Sequence, residues 1–482
     1  MMLRAASPYA EFIAARIRDA RFWRRALFFL LIHIPLGLAL YRSPALSTLH
    51  VLSIVGLAVA VAMAAEDPFK VALAGAYIMG SEVLWRMTDA SFFWEGGKLA
   101  CSLIFMIALV KAQFRGEASS GLKPLAGLYV LLLIPGVVIT LIEMDLLLAR
   151  KLISQNLTGP FSLMISVLFF SRLRLDKKRL CTVFVAALGP LLSIVAITIF
   201  TTYTATDIHW STDSNFTTSG GFGPNQVSSS LSIGALFAFY ILLVHGHSRL
   251  RRVFFFLILI VFSIQSVMTF SRTGIYLVLG SMGTTQLILW TQKRRLTGSS
   301  LKIIVIFLVA IFGLASMLNR FTEGYLGQRY RDTSTSNRYE LGLADLGLFW
   351  EHPFFGVGIG QSPFKRRFSE HVANHTEFTR LLAEHGVFGA VAIFALGLML
   401  LTNFRRRKDP LMRAMEIGLG AWVLMFFLVS GMRLLMPGYL FGLICITLVV
   451  PEAAEARESA PVRVGRPVPA LGFPGGGARF RR

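Results

Sequence analysis

Residues 180–201 read LCTVFVAALGPLLSIVAITIFT. No charged side chain interrupts the stretch, and a helix of about 20 such residues crosses a hydrocarbon core ~30 Å thick. Directly before it stand Arg172, Arg174, Lys177, Lys178 and Arg179, the basic flank expected on the cytoplasmic side of a membrane. A membrane strand would alternate in polarity, whereas this run is continuously apolar. The pattern recurs on both sides. It predicts an all-α polytopic integral membrane protein of about 14 transmembrane helices with a large outer loop containing short helices. The spans lie near 26–41, 49–65, 69–86, 92–111, 124–142, 157–171, 180–201, 227–244, 253–270, 275–291, 301–318, 387–403, 413–431 and 434–450. The third and fourth are the weakest, because Glu82, Glu95 and Lys98 fall within them.

Composition agrees. The chain has 482 residues, 55% hydrophobic and 15% charged, with a mean hydropathy of +0.63. That is too little polar surface for soluble domains of this total length. The net charge of +22 points to basic cytoplasmic loops facing anionic membrane lipid, with no nucleic-acid partner. Cys101, Cys181 and Cys445 all lie in apolar runs, which argues against a disulfide framework or a thiolate metal site. The first apolar run begins at Ala26 without a small-residue cleavage site after it, so it is expected to be a span, not a cleaved leader.

With the N-terminus inside, the inner segments carry more than twice the Lys and Arg of the outer ones, which orients both termini to the cytoplasm. The expected organisation is a cytoplasmic N-terminus at 1–25, a transmembrane bundle with short loops at 26–318, a large outer loop at 319–386, C-terminal helices at 387–450, and a disordered cytoplasmic tail at 451–482.

The outer loop runs against the positive-inside bias. It holds Arg320, Arg329, Arg331, Arg338, Lys365, Arg366, Arg367 and Arg380. Guanidinium groups offer a planar fork of donors suited to phosphate, although surface pairing with Glu323, Asp332, Glu340 and Asp345 is the ordinary alternative. Arg272, in Phe270-Ser271-Arg272-Thr273-Gly274-Ile275, is pinned at the membrane edge between two apolar runs, where a charge must snorkel, pair or work. Asn374-His375-Thr376-Glu377 opens a segment that reads as a helix up to Gly386, placing His371, His375, Phe378 and Leu382 on one face. His375 is a candidate proton acceptor. A zinc reading of His371 and His375 lacks a third ligand. Glu377, Arg380 and Glu384 are spaced to pair along the helix. Asn337 to Glu351 reads as a short amphipathic helix whose Leu341, Leu346, Phe349 and Trp350 rest on the membrane, followed by a turn at Gly356, Gly358 and Gly360. Asn225 and Gln226, after a glycine-rich turn, are placed to bond a sugar or to cap a helix. His33, His50, His245 and His247 read as structural. No outer Asp-x-Asp pair or nucleotide-binding glycine loop stands in the chain, so neither metal nor cofactor is expected.

Ser271-Arg272-Thr273-Gly274, then Asn337-Arg338-Tyr339 through His352-Pro353-Phe354-Phe355-Gly356-Val357-Gly358-Ile359-Gly360, then His375 to Gly386, resemble in order and spacing the O-antigen ligase and Wzy-type polysaccharide polymerase superfamily. The resemblance covers about 230–430. It implies a metal-independent glycosyltransferase of the bacterial inner membrane with its site facing the periplasm. The donor would be a glycan on undecaprenyl diphosphate, and the acceptor a sugar hydroxyl on another glycan or on lipid A-core. By position, Arg272 and Arg338 would hold the diphosphate and His375 would take the acceptor's proton. Arg380, Glu384 and Gln226 are candidates for a supporting part on their own chemistry. Thr376 departs from the Asn that many members carry after the histidine; here Asn374 precedes it.

Within the superfamily, the many spans and the Gly220–Gln226 segment favour a polymerase of a secreted, capsular or O-antigen polysaccharide. Lys365-Arg366-Arg367, suited to an anionic core, favours a ligase. The rival from another class is a lipid-linked oligosaccharide flippase, which should keep its working charges inside the bundle at mid-membrane.

Overall fold

The computed structural model describes residues 8–111, 122–245, 248–292, 296–332, 338–366, 375–404 and 409–448. The tail expected at 451–482 lies outside them, as do Asn337, Arg367, His371 and Asn374, and the side chains of His245 and His247. In chain order the helices are α1 (Pro8–Arg42), α2 (Pro44–Ala64), α3 (Pro68–Met87), α4 (Gly96–Val110), α5 (Leu122–Leu131), α6 (Ile134–Glu143), α7 (Leu146–Phe170), α8 (Lys177–Thr204), α9 (Pro224–His245), α10 (Arg249–Met268), α11 (Arg272–Thr291), α12 (Leu296–Phe321), α13 (Tyr325–Arg331), α14 (Arg338–Glu351), α15 (Ser362–Lys365), α16 (Glu377–Phe404), α17 (Pro410–Val429) and α18 (Leu435–Leu443). Many start where the sequence places a cap. Ser43, Asp67, Asp145, Asp176 and Asp409 each accept a backbone N–H of the first turn of α2, α3, α7, α8 and α17.

Ten helical segments among the described residues are long and apolar enough to cross a membrane, and the chain is a multi-pass membrane protein. The ten fall short of the about 14 expected. Every expected span lands on a helix, but α3, α4, α11 and α18 do not reach the required length and apolarity. α3 carries Lys70, Glu82 and Arg86, and α11 is rich in Gly, Ser and Thr. α4 has 15 residues and α18 has 9. The stretch 434–450, expected as one span, is a short helix followed by strand β2 (Thr447–Leu448), which pairs in parallel with β1 (Arg174–Leu175). This pair is the exception to an all-helical fold among the described residues. α1 also begins far ahead of the expected 26, and the span expected at 124–142 is broken into α5 and α6 ahead of Pro135.

α8 and α9 form the centre. Within the apolar window of α9, 94% of residues are buried, against 6% for the peripheral α12. Small and hydroxylated residues allow this close packing. Ser228, Ser229, Ser230 and Ser232 are all buried on α9, and the Trp422 indole of α17 donates to Ser232 Oγ at 2.8 Å. The Tyr240 hydroxyl lies 3.1 Å from Thr285 Oγ1 of α11. His33 and His50 are structural as expected. The Tyr77 hydroxyl bridges their Nε2 atoms at 3.1 Å each, and the Trp85 indole donates to His50 Nδ1 at 3.0 Å, so α1, α2 and α3 share one polar chain.

Candidate active site

The site is built around the turn between α10 and α11. Thr269, Phe270 and Ser271 reverse the chain there, and Phe270 adopts a left-handed backbone, φ 58°, unusual for a bulky residue. Several contacts hold it. Its ring stacks on Trp210 with centroids 5.5 Å apart, and its carbonyl accepts from Arg329 Nε at 3.0 Å. Ser271 Oγ donates to Asn225 Oδ1 at 2.7 Å, which ties the turn to the first residues of α9. Gly274 is required by close approach: a Cβ there would meet Ser266 Oγ at 2.1 Å and Ser228 Oγ at 2.2 Å. The Arg-Thr-Gly turn thus presents Arg272 beside α13 and α14, where Arg272 Nη1 donates to the Asp332 backbone carbonyl.

Arg272, Arg329 and Arg338 converge on one cavity of about 510 Å³. Burial, and then the charges of Arg272 and Arg329, push the Arg338 guanidinium below its ordinary value. Burial, and then Arg272, does the same to Arg329. Asp213 and then Asp332, the latter 4.0 Å from Arg329 Nη1, partly offset this at Arg329. Cations crowded in this way favour an anion between them. Asn225, Thr273, Thr376 and Thr379 also line the cavity, and one side of it is aromatic or apolar and open. Tyr339 is 63% exposed and Leu428 59%, with Tyr276 and Leu343 also exposed. That rim suits a lipid chain entering beside an anionic head.

His375 stands at the edge of this site, since the next residue, Thr376, lines the cavity. The expectation that His375 shares a helical face with Phe378 and Leu382 is corrected. α16 begins only at Glu377, because Thr376 Oγ1 caps the Thr379 N–H at 3.1 Å. His375 is half-buried ahead of the helix. Burial, and then the charges of Arg338, Arg433 and Arg366, lower its pKa to about 4. The imidazole is therefore neutral near pH 7 and able to accept a proton.

A buried ion network holds the other side of α16. Arg380 donates to Glu377 Oε2 from Nε at 3.0 Å and to Glu384 Oε2 from Nη1 at 2.7 Å. Glu377 also accepts the Met432 N–H at 3.0 Å, and Glu384 accepts Ser362 Oγ at 3.0 Å. Arg366 donates to Asp345 from Nε at 2.8 Å, and Thr379 Oγ1 donates to the other Asp345 oxygen at 2.9 Å. The run Lys365-Arg366-Arg367 is thereby split among the described residues. Arg366 is buried against Asp345, while Lys365 pairs at the surface with Glu143 at 2.9 Å.

Gly356, Gly358 and Gly360 make the expected turn, each with positive φ. It docks on a break in α16, where Gly386 has φ 58°. The N–H groups of Val357 and Gly358 donate to the carbonyls of Ala383 and Glu384, and the Val387 N–H donates to the Pro353 carbonyl. These bonds satisfy the Ala383 and Glu384 carbonyls and the Val387 N–H at the kink. On α14, Leu341 packs inward instead of resting on the membrane, while Trp350 is 75% exposed. Gln226 does not reach the arginine cavity; its Oε1 accepts from Arg86 Nη1 of α3 at 3.1 Å. Asn225, its neighbour, does line the cavity, and so does Arg329, which had no local signal to set it apart. Arg329 is one of several arginines in its loop, and only its long-range bond to Phe270 distinguishes it. Among the described residues, no three His, Cys, Asp or Glu side chains gather as metal ligands would.

Fold and site together define a multi-pass membrane protein with a cationic, lipid-open cavity beside a neutral histidine. Residues 257–394 match the family described as O-Antigen ligase, which places that segment in the O-antigen ligase and Wzy-type superfamily. That match supports a membrane glycosyltransferase of the general ligase or polymerase type. No curated protein matches the chain.

Proposed function

We propose that the protein transfers a glycan from undecaprenyl diphosphate to a sugar hydroxyl at the periplasmic face of the bacterial inner membrane, as a polymerase of a secreted, capsular or O-antigen polysaccharide. The observation that carries this reading is the convergence of Arg272, Arg329 and Arg338 on one lipid-open cavity next to His375. The diphosphate sits among the guanidinium groups, and its lipid leaves along Tyr339 and Leu343. His375 takes the proton as the acceptor oxygen bonds to the anomeric carbon. The bond from that carbon to the phosphate oxygen breaks, and undecaprenyl diphosphate leaves with its charge stabilised by the arginines. No metal is needed, because the arginines supply the cationic work. Polymerase is preferred over ligase because Arg366 is engaged with Asp345, which removes the centre of the basic run that suited an anionic core.

The test is release of undecaprenyl diphosphate and lengthening of glycan by the purified protein in nanodiscs, with and without EDTA. Elongation unaffected by EDTA is expected. Transfer only to lipid A-core would make the protein a ligase. Movement of lipid-linked glycan across the bilayer without release would make it a flippase.

A further inference from the structure

The family match begins at residue 257, so the N-terminal half lies outside it, yet that half builds much of a second cavity. This cavity, about 340 Å³, is lined by Trp94 ahead of α4, Lys151, Gln155 and Asn156 on α7, Glu384 on α16, and Arg433 between α17 and α18. The start of α16 divides the two cavities. Thr376 and Thr379 line the arginine cavity, and Glu384 lines the second. Arg380 faces a narrow extension shared with Gln155, Asn156 and Arg433. Charge from both sides acts on His375: Arg338 belongs to the first cavity and Arg433 to the second.

The chemistry of the two cavities differs. In the second, carboxylates stand in the wall: Glu95 is paired with Lys98 at 2.9 Å, and Glu384 with Arg380. Each carboxylate is neutralised by its own cation, and beside Lys151 and Arg433 the cavity offers amide and aromatic groups. Two amides supply donors and acceptors together, as a polyhydroxylated ligand requires. The Asn156 amide is oriented by its bond to the Leu152 carbonyl at 2.9 Å. Trp94 offers an aromatic face. Its ring is 45% exposed and is steadied by the Arg86 guanidinium 4.1 Å from its centroid. Amides beside an open indole suit a sugar ring, which presents hydroxyls at its edge and C–H groups on its face.

We propose that the cavity of Trp94, Lys151, Gln155, Asn156 and Arg433 binds the acceptor glycan. The N-terminal half then selects the acceptor while the 257–394 segment handles the donor. This rests on the transferase reading above. The step is unchanged: the acceptor hydroxyl crosses the start of α16 toward His375, gives up its proton there and bonds to the donor's anomeric carbon.

Because donor and acceptor of a polymerase share one glycan, the test uses that glycan after mild acid has removed its diphosphate and lipid. Its binding to the protein in nanodiscs is measured by equilibrium dialysis. Wild type should bind it, Trp94→Ala and Gln155→Ala should each weaken binding about tenfold, and Arg338→Ala should leave it unchanged. Trp94→Phe, which keeps an aromatic face, should restore most of the loss. Gln155 is exposed on α7, so its truncation leaves the fold intact. No binding by wild type, equal binding by both cavity variants, or an equal loss in Arg338→Ala overturns the inference. If wild type binds glycan through Trp94 and Gln155 but catalyses no transfer, the transferase reading falls and the glycan site stands. If it transfers while those variants bind normally, the reverse holds.

Discussion

The two cavities treat charge in opposite ways. Around the arginine cavity, Arg272, Arg329 and Arg338 gather, with Asp332 4.0 Å from Arg329 and Asp213 also acting on Arg329. Around the second, most charges meet an opposite one at hydrogen-bond distance, Lys98 with Glu95, Arg86 with Glu82, and Arg380 with Glu377 and Glu384, with Lys151 and Arg433 also in the wall. A balanced buried network builds structure, because each charge is neutralised within the protein. An unbalanced one is unfavourable until an external anion arrives, and such arrangements concentrate at functional sites. Charge count alone does not separate these cases. Arg380 is buried and Arg338 half-buried in the same segment, and what their neighbours carry decides which one is proposed to hold a ligand.

Substitutions at the unbalanced site should have the largest effects on turnover. His375→Ala is expected to lower turnover ~10²–10⁴-fold, the range of general-base help, with donor binding retained. Wild-type turnover in that variant would remove His375 from the chemistry. Arg272→Ala and Arg338→Ala should each cost ~10²–10³-fold in release of the lipid diphosphate. Lys at either position should recover only part, because the bidentate fork is lost. Full activity of Arg272→Lys would leave that residue as a membrane anchor only. Membrane levels of each variant, read by immunoblot, separate lost chemistry from lost protein.

Much of the bundle was legible because apolar runs of spanning length state their own position. The count was not. α3 and α11 are burdened by charge or small polar residues, and α4 and α18 are too short alone. All four are accommodated by neighbours far away in sequence, as when the Leu435 N–H meets Glu82 Oε2 at 2.6 Å. At the site, Arg272 and His375 stood out from local context, a charge in a tight turn and a histidine ahead of a span, while Arg338 was set apart by the resemblance alone. The start of α16 at Glu377 depends on Thr376 as a cap, a choice that a continuous helical pattern hides. Trp94, Gln155 and Arg433 meet only through tertiary packing, so no window of sequence contains the second cavity.

The balanced network should respond in stability before chemistry. Arg380→Ala leaves Glu377 and Glu384 buried without their cation, a loss of about 3–5 kcal/mol. Thermal unfolding in detergent should show it, while Arg338→Ala should be neutral or stabilising because it relieves repulsion. Equal destabilisation by the two would erase the distinction between the cavities. Acidity sharpens it further. The His375 pKa is lowered to about 4, so kcat/KM should hold from neutral pH downward and fail as pH drops through about 4. A bound diphosphate counters the arginine charges and raises that pKa, which places the acid limb of kcat above that of kcat/KM. Arg338→Gln removes one cause of the shift and should move the kcat/KM limb toward the ordinary histidine value. A limb that ignores Arg338→Gln would detach His375 from the arginine site.

The smallest effect is expected at the surface. Lys365 and Glu143 pair at 2.9 Å with both side chains about two-fifths exposed, 41% and 42%. Water and salt screen such a pair, so its removal costs at most ~1 kcal/mol. Lys365→Ala should therefore leave unfolding temperature and transfer to a glycan acceptor within error of wild type. The same residue reports on topology. With both termini inside, Lys365 lies on the outer side and Arg174, exposed on strand β1, on the inner side. A membrane-impermeant thiol reagent applied to intact spheroplasts should label Lys365→Cys and spare Arg174→Cys. The reverse pattern would turn the arginine cavity toward the cytoplasm and remove the periplasmic reaction with it. A second outcome bears on the acceptor. If Lys365→Ala lowers transfer to lipid A-core severalfold without touching stability, the surface lysine contacts an anionic acceptor, and the preference for polymerase over ligase is lost.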